Sequence, residues 1–271
     1  MRAPAPAKVN LALVVGPLRP DGKHELLTVY QRVGLADRIE LEPAERLRVD
    51  GFTGDTLVRD ALELLAVHAA VEQRWRVRIE KRVPAAAGLG GGSSDAATAL
   101  RLANATLDDP VPHEELHDLA AGVGSDVPFF LTDGPRLGAG DGTTLGLLDL
   151  PQDYWVVLVL PRAESKSSTA SVYEAFDRRN GSEGFEGRRA RLDDNLPLVR
   201  RPRDLASLPP NDLATSPLAD ELLALGAFRA DVSGAGPVVY GLFLHREAAA
   251  AAKRELRRHG RTWLTVPTWY G

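Results

Sequence analysis

Three stretches of this chain hold residue types suited to handling phosphate. The first is Gly88-Leu89-Gly90-Gly91-Gly92-Ser93-Ser94-Asp95. Glycines in such a run let backbone N–H groups face inward with no Cβ in the way. A helix beginning just after them adds its positive dipole end, and the two together make a phosphate cradle. Ser93 and Ser94 can cap that helix, a hydroxyl there can reach a phosphate oxygen or Mg2+, and Asp95 suits a first helical turn. A flexible loop ending in an N-cap accounts for the same residues. The Walker A pattern fails because Gly92 is followed by Ser93-Ser94 instead of Lys-Ser/Thr, and G-x-G-x-x-G counted from Gly88 fails at Ser93.

The second stretch is Pro6-Ala7-Lys8-Val9-Asn10-Leu11, where Lys8 and Asn10 lie two apart on a predicted strand and share a face. A solvated strand face explains that pair equally well. The third is Gly124-Ser125-Asp126-Val127-Pro128-Phe129-Phe130, an acid between glycine and a bulky apolar run, for which a turn or cap role is the plain alternative. His113-Glu114-Glu115-Leu116-His117 is a literal H-E-x-x-H, with both imidazoles on one helical face. It follows Pro112 and so opens its helix, and no third ligand accompanies it. A solvated helix start is the better reading.

These residues need elements to hold them. Alternating apolar residues predict strands over 9–15, 26–34, 39–41 and 47–49, with Arg19-Pro20-Asp21-Gly22 supplying a turn, and helical spacing predicts a helix over 55–71. A strand over 75–80 runs through Lys81 and Pro84-Ala85-Ala86-Ala87 into the glycine run, and a helix follows over 96–107. A further helix spans about 112–121, Phe129 to Leu131 reads as the start of a strand, and 136–150 is glycine-rich and turn-like. A domain boundary is placed near 150, giving units of 1–150 and 151–271. In the second unit, strands are predicted over 154–161, 238–244 and 263–266, and helices over 171–179, 218–225 and 247–258. The polar, arginine-rich segment 181–210 reads as irregular, solvated surface.

Composition narrows the function classes. With 271 residues, 44% apolar content and a net charge of -4 spread along the chain, a real core forms and no basic footprint for nucleic acid or a membrane stands out. The absence of cysteine excludes disulfides, thiolate metal sites and cysteine nucleophiles. No stretch approaches the roughly 18 apolar residues of a membrane span, and the N-terminus lacks a leader's apolar core, so the expected location is the cytoplasm. A small-molecule partner is favoured, and a homodimer is compatible with this composition.

Taken together, Pro6 to Leu11, Asp21-Gly22-Lys23-His24-Glu25-Leu26, Gly88 to Ala97, Gly124 to Phe130, Asn211-Asp212-Leu213 and Ser233-Gly234-Ala235-Gly236-Pro237 resemble the motifs of the GHMP kinase superfamily in content and order. Within it they are most similar to members whose acceptor is a cytidine diphosphate-linked methylerythritol, in non-mevalonate isoprenoid precursor biosynthesis. Homoserine- and mevalonate-type kinases are the alternatives inside the superfamily. Outside it stand a zinc hydrolase on His113 and His117 and a nucleotide-binding module without catalysis. The resemblance implies an α+β fold, with a ribosomal-S5-like, ATP-binding N-terminal domain and a ferredoxin-like C-terminal domain. It implies ATP and Mg2+ as cofactors.

The same resemblance makes Lys8 and Asp126 the catalytic pair, with Asp126 taking or orienting the acceptor hydroxyl proton. Lys81, Pro84, Ala85, Ala86, Ala87, Gly88, Leu89, Gly90, Gly91, Gly92, Ser93, Ser94 and Asp95 would face the nucleotide. Asn10, Lys23, His24, Thr169 and Tyr173 would hold the acceptor, the last four at its cytidine end. Three positions depart from the family pattern: Lys23, where the pattern has Asp-Gly-Tyr-His, Ala235, where a second serine is common, and Thr56, where asparagine is expected.

Overall fold

The structure, a computed structural model, describes residues 1–52, 56–162 and 168–268. Its frame is a long hairpin of β1 (Arg2–Leu18) and β2 (His24–Ala44), paired from Arg2 opposite Glu40 to Leu18 opposite His24. Both strands outrun the expected alternation, and the strand anticipated over 39–41 is the far end of β2. The other edge of β2 is shared. Residues 38–44 pair with β4 (Arg74–Glu80), and residues 26–30 pair with β5 (Arg136–Gly140). β3 (Arg48–Asp50) lies parallel to β4, and β6 (Thr144–Leu147) continues from β5. The glycine-rich 136–150 segment is therefore a hairpin and not an unpaired turn region. A second sheet runs β10-β7-β9-β8, from β7 (Trp155–Pro161), β8 (Arg229–Val232), β9 (Val239–Phe243) and β10 (Gly260–Thr265).

The strands' period of two decides the layering. Trp75, Val77 and Ile79 point inward from β4, where α1 (Leu57–His68), α2 (Gly91–Asn104) and α3 (His113–Val123) close a core through Leu62, Leu65, Leu100 and Leu116. From the first sheet's opposite face, Val9, Leu11, Val29 and Val33 meet Val156, Leu158, Tyr240 and Leu242 of the second sheet. Their neighbours Val157, Val159, Val239 and Phe243 face α6 (Pro217–Ala224) and α7 (Arg246–Glu255) through Leu218, Leu222, Ala249 and Ala252. The order is helices, sheet, sheet, helices. Each fully buried valine or leucine contributes about 1.5–3 kcal/mol, so the sheet-to-sheet contact is a substantial part of the core.

Two further expectations are corrected. Phe129 to Leu131 belong to a 3-10 turn, Pro128–Leu131, and not to a strand. The segment 181–210 contains α5 (Phe185–Asn195) and short 3-10 turns, because Phe185 and Leu192 are apolar enough to anchor it. Nor is Arg188 a solvated charge. Its Nε donates to Asp212 Oδ2 at 2.8 Å and its Nη2 donates to the carbonyls of Val15 and Gly181 at 3.1 and 2.8 Å.

The glycine run is fastened between the first strand and the distant Ser233–Pro237 turn. Lys8 N donates to Leu89 O at 2.9 Å, Val238 N to Ala87 O at 3.2 Å, and Ser233 Oγ to Gly88 O at 2.8 Å. Gly88 has φ +78°, and a Cβ there would overlap the Ser233 carbonyl oxygen. Gly88→Ala is therefore expected to cost at least about 2 kcal/mol, from backbone strain and overlap together. Ser233→Ala, which loses one hydrogen bond, should cost about 1 kcal/mol. Urea unfolding midpoints check both, and an unmoved midpoint for Gly88→Ala would show that this contact is not a constraint.

Candidate active site

The helix after the glycine run begins at Gly91, earlier than the expected residue 96, and its N-cap is Gly90 at φ +66° with no side-chain cap. Ser93 and Ser94 were expected as caps. They lie inside the first turn instead, because the left-handed residue at Gly90 already turns the chain into the helix. The amides of Gly91, Gly92 and Ser93 have no carbonyl one turn back to bond, whereas Ser94 N donates to Gly90 O at 2.9 Å. Ser94 is fully buried, and its Oγ has no hydrogen-bond partner. Ahead of the helix, Pro84 is half-buried, Ala85 and Ala86 are exposed, and Ala87 and Leu89 are buried. Free amides at a helix start, an orphaned hydroxyl behind them and no side chains on three glycines fit a polyphosphate.

Asp95 lies beyond the first turn, buried, with its Oδ2 2.7 Å from Lys81 Nζ. The same ammonium lies 2.6 Å from Asp37 Oδ2, and Asp37 Oδ1 accepts from the Arg82 and Val83 amides. Burial alone would lower the Lys81 pKa, but Asp95 and Asp37 outweigh it and hold the group above its ordinary value. Lys81 is thus a clamp between two buried carboxylates. It shapes the start of the glycine loop, and its charge is already matched inside the protein.

Lys8, Asn10, Tyr30 and Arg32 occupy one face of the long hairpin, with Lys8 opposite Arg32 and Asn10 opposite Tyr30. Lys8 Nζ donates to Asn10 Oδ1 at 2.7 Å and lies 3.4 Å from Asp126 Oδ2. Asn10 Nδ2 donates to Thr28 Oγ1 at 2.7 Å, which fixes the amide's orientation. Tyr30 donates its hydroxyl to Asp126 Oδ1 at 2.9 Å. Burial, and then the Asp126 charge, push the Tyr30 phenol well above its ordinary range, so it remains a protonated donor. Arg32 donates to the carbonyls of Phe129 and Thr132, holding the turn that follows Asp126. Gly90 is packed here too, since a Cβ on it would approach Lys8 Cγ to 3.1 Å and Phe130 Cζ to 3.0 Å.

At the hairpin's tip, His24 stacks on Tyr173 of α4 (Thr169–Arg178), with ring centroids 5.1 Å apart, and meets Phe176 edge-on at 5.7 Å. Its Nδ1 bonds the Gly16 carbonyl at 2.8 Å. Tyr173 is pushed up to about 12 by burial and then by the Asp126 charge, so this aromatic pair lies within electrostatic reach of the acid. Thr169 stands exposed at the first residue of α4. Lys23 turns away from the rings. Its Nζ lies 2.6 Å from Asp141 Oδ2 and 3.3 Å from Ser125 Oγ. Burial alone would raise the Asp141 pKa, but hydrogen bonds from Lys23 and Thr143 bring it down to about 2.

The Ser233–Pro237 turn closes the other side. A Cβ on Gly234 would stand 3.4 Å from both Lys8 Nζ and Asn10 Oδ1, and Asn211 Nδ2 donates to the carbonyls of Val232 and Gly234 at 2.9 and 2.7 Å. The structure thus gathers Lys8, Asn10, Asp126 and the glycine run, and pairs His24 with Tyr173. Sequence reasoning missed Tyr30, Arg32, Asp37 and Asp141. The available signals were an acid inside the apolar run at Asp37 and the two-residue spacing of Thr28, Tyr30 and Arg32. His113 and His117 open α3, and among the described residues no three His, Cys, Asp or Glu side chains come together as a metal site.

Residues 56–134 match the GHMP kinases N terminal domain, and residues 208–262 match the GHMP kinases C terminal. A 4-diphosphocytidyl-2-C-methyl-D-erythritol kinase of Gloeobacter violaceus is 37% identical, covering 93% of this chain and 88% of its own. One from Anaeromyxobacter sp. is 40% identical over 93% and 85%. A crystal structure of 4-(cytidine 5'-diphospho)-2C-methyl-D-erythritol kinase superposes with a TM-score of 0.80 at 32% identity, covering 99% of each chain. A mevalonate kinase shares the fold at a TM-score of 0.75 and 14% identity. The expected fold class is borne out.

The Lys81 clamp makes a stability prediction. Removing one partner from a buried ion pair costs about 3–5 kcal/mol, because the remaining charge is left uncompensated. Lys81→Met strands two carboxylates and should lower the unfolding free energy by at least that much. Adding Asp37→Asn should recover part of the loss. A wild-type denaturation midpoint for Lys81→Met would show that the ammonium is not what compensates them.

Proposed function

The chain belongs to the GHMP kinase family and is an ATP-dependent phosphotransferase, and on that premise we propose that its acceptor is a hydroxyl of 4-diphosphocytidyl-2-C-methyl-D-erythritol. The observation that carries this reading is the 3.4 Å approach of Lys8 Nζ to Asp126 Oδ2, between the glycine run on one side and the His24–Tyr173 stack on the other. The glycine run supports a polyphosphate site and the stacked rings support a flat base, so the two ends suit a nucleotide donor and a nucleotide-linked acceptor. The product belongs to isoprenoid precursor synthesis. We place the enzyme in the cytoplasm and divide the chain near residue 150. That division is supported by the sheets, since the strands of the first end at Leu147 and those of the second begin at Trp155.

In this reading the amides of Gly91, Gly92 and Ser93 bind the phosphates, and Asp126 accepts the proton of the acceptor hydroxyl as its oxygen bonds to the γ-phosphorus. The bond from that phosphorus to the ADP oxygen breaks. A carboxylate is a weak base for an alcohol, so in a loose phosphoryl-transfer transition state its main service is to orient the hydroxyl. Lys8 stabilises negative charge on the transferring oxygens. Asn10, held by Thr28, orients the acceptor's methylerythritol part. The Ser93 hydroxyl at the helix start would help to hold Mg2+, which would supply charge neutralisation when bound.

ADP release tests the acceptor: the cytidine diphosphate-linked methylerythritol should be turned over, and homoserine, mevalonate and galactose should not. Turnover of one of those three alone would reassign the acceptor and leave the kinase reading intact. Asp126→Asn should cut kcat by at least about 10²-fold while ATP still binds, and near-wild-type kcat would remove Asp126 from the centre.

The Lys23 pair generates a separate expectation. Lys23→Tyr returns an aromatic ring to this position but takes the ammonium from Asp141 and the tether from Ser125. The acceptor KM should rise severalfold for Lys23→Tyr and for Lys23→Met, with the ATP KM unchanged. A fall in acceptor KM for the tyrosine variant would show that stacking, worth about 1–3 kcal/mol per base, outweighs the lost ion pair.

A further inference from the structure

Asp126 stands one-third exposed in the loop between Gly124, the extended residue that ends α3, and the 3-10 turn Pro128–Leu131. A carboxylate so placed rotates freely about its side-chain bonds unless something holds one oxygen. The holding group is Tyr30. Its hydroxyl donates to Asp126 Oδ1 at 2.9 Å, which leaves Oδ2 as the oxygen beside Lys8 Nζ. Tyr30 is itself confined on every side. Its ring stacks on Phe129 with centroids 4.8 Å apart at 24°, the Lys8 ammonium lies 5.8 Å from its centroid, and the residue is only 2% exposed.

The opposing hairpin is shaped to admit that ring. A Cβ on Gly138 would come within 2.5 Å of Tyr30 Cε2, and one on Gly142 within 2.8 Å of its hydroxyl oxygen. Two glycines in β5 and its turn therefore clear the space in which the phenol reaches the acid. Arg32, on the same face of β2, adds the bonds to Phe129 O and Thr132 O that keep the stacking partner in place.

We infer that Tyr30 is a positioning residue for phosphoryl transfer, fixing Asp126 by its Oδ1 so that Oδ2 receives the acceptor hydroxyl next to Lys8. The inference rests on the assignment of Asp126 to the transfer centre. Its action on the reaction runs through the carboxylate that it holds. Loss of its hydroxyl lets Asp126 sample rotamers in which no oxygen faces the acceptor, and the fraction of productive complexes falls with no change in either binding site.

Tyr30→Phe retains the stacked ring and removes only the donor. Steady-state kinetics should show kcat lowered by about tenfold, both KM values within about twofold of wild type, and the melting temperature nearly unchanged. In the Asp126→Asn background the same substitution should have no further effect on kcat, since groups that act as a unit are not additive. A kcat lowered less than about threefold, or an equal fall in the Asp126→Asn background, would overturn the inference and leave Asp126 in its role. Near-wild-type turnover by Asp126→Asn itself would overturn both. Tyr30→Leu, which also loses the stack, should lower the melting temperature as well as kcat. If its melting temperature falls while its kcat stays at the wild-type value, Tyr30 is a core residue only.

Discussion

A hairpin buried on both faces gives its polar side chains no water to turn to, and the site follows from that constraint. Lys8, Asn10, Tyr30 and Arg32 are 3%, 4%, 2% and 0% exposed, respectively, so each must find partners within the protein. The partners are Asp126, Thr28, and the carbonyls of Phe129 and Thr132. Bonding these four groups on one face of the hairpin thereby fixes the loop and turn that carry the acid. Stability and function share these bonds, because a turn placed elsewhere would leave a buried arginine and a buried phenol without acceptors.

The glycine run answers a different requirement. A helix start that is to meet a polyphosphate keeps its first amides unbonded, and such a start is costly unless its surroundings hold it. Here the surroundings are covalently remote: Ser233 and Val238 bind the glycine segment from the carboxy-terminal side, and β1 binds it through Lys8 N. Lys81, with its two carboxylates, stiffens the entry to the same loop. The loop's glycines are thus chosen for close packing as much as for open space, as Gly88 against Ser233 and Gly90 against Phe130 show.

Local chemistry was readable in the sequence; long-range partnership was not. The glycine run, the Lys8–Asn10 spacing and the loop acid announce themselves by residue type, β4 by its period-two alternation and β7 by its unbroken apolar run. Tyr30 was invisible because its role depends on a residue 96 positions away, and a tyrosine in an apolar strand looks like core. Asp37 looked like an ordinary charge until Lys81 and two backbone amides met it. Helix α5 escaped because its surface is strongly polar and only Phe185 and Leu192 are buried. The 3-10 turn at Pro128 to Leu131 was masked by residues that also suit a strand, and what decides between them is the arginine on β2.

The pairing of β1 with the segment around Asp212 bears on how the chain is made. Asp212 N donates to Leu13 O and Val15 N to Asp212 Oδ2, each at 2.9 Å, so the first strand to leave the ribosome is completed by residues that leave it far later. Contacts so distant in sequence form slowly, and during synthesis they cannot form at all until the later residue has emerged. For most of its synthesis the nascent chain therefore carries an N-terminal strand with bonding groups unmet and a glycine loop without its Ser233 clasp. The glycine loop is completed late in synthesis, with the segments that fasten it and the strand, and a chain cut short before them is one for chaperones or proteases to recognise.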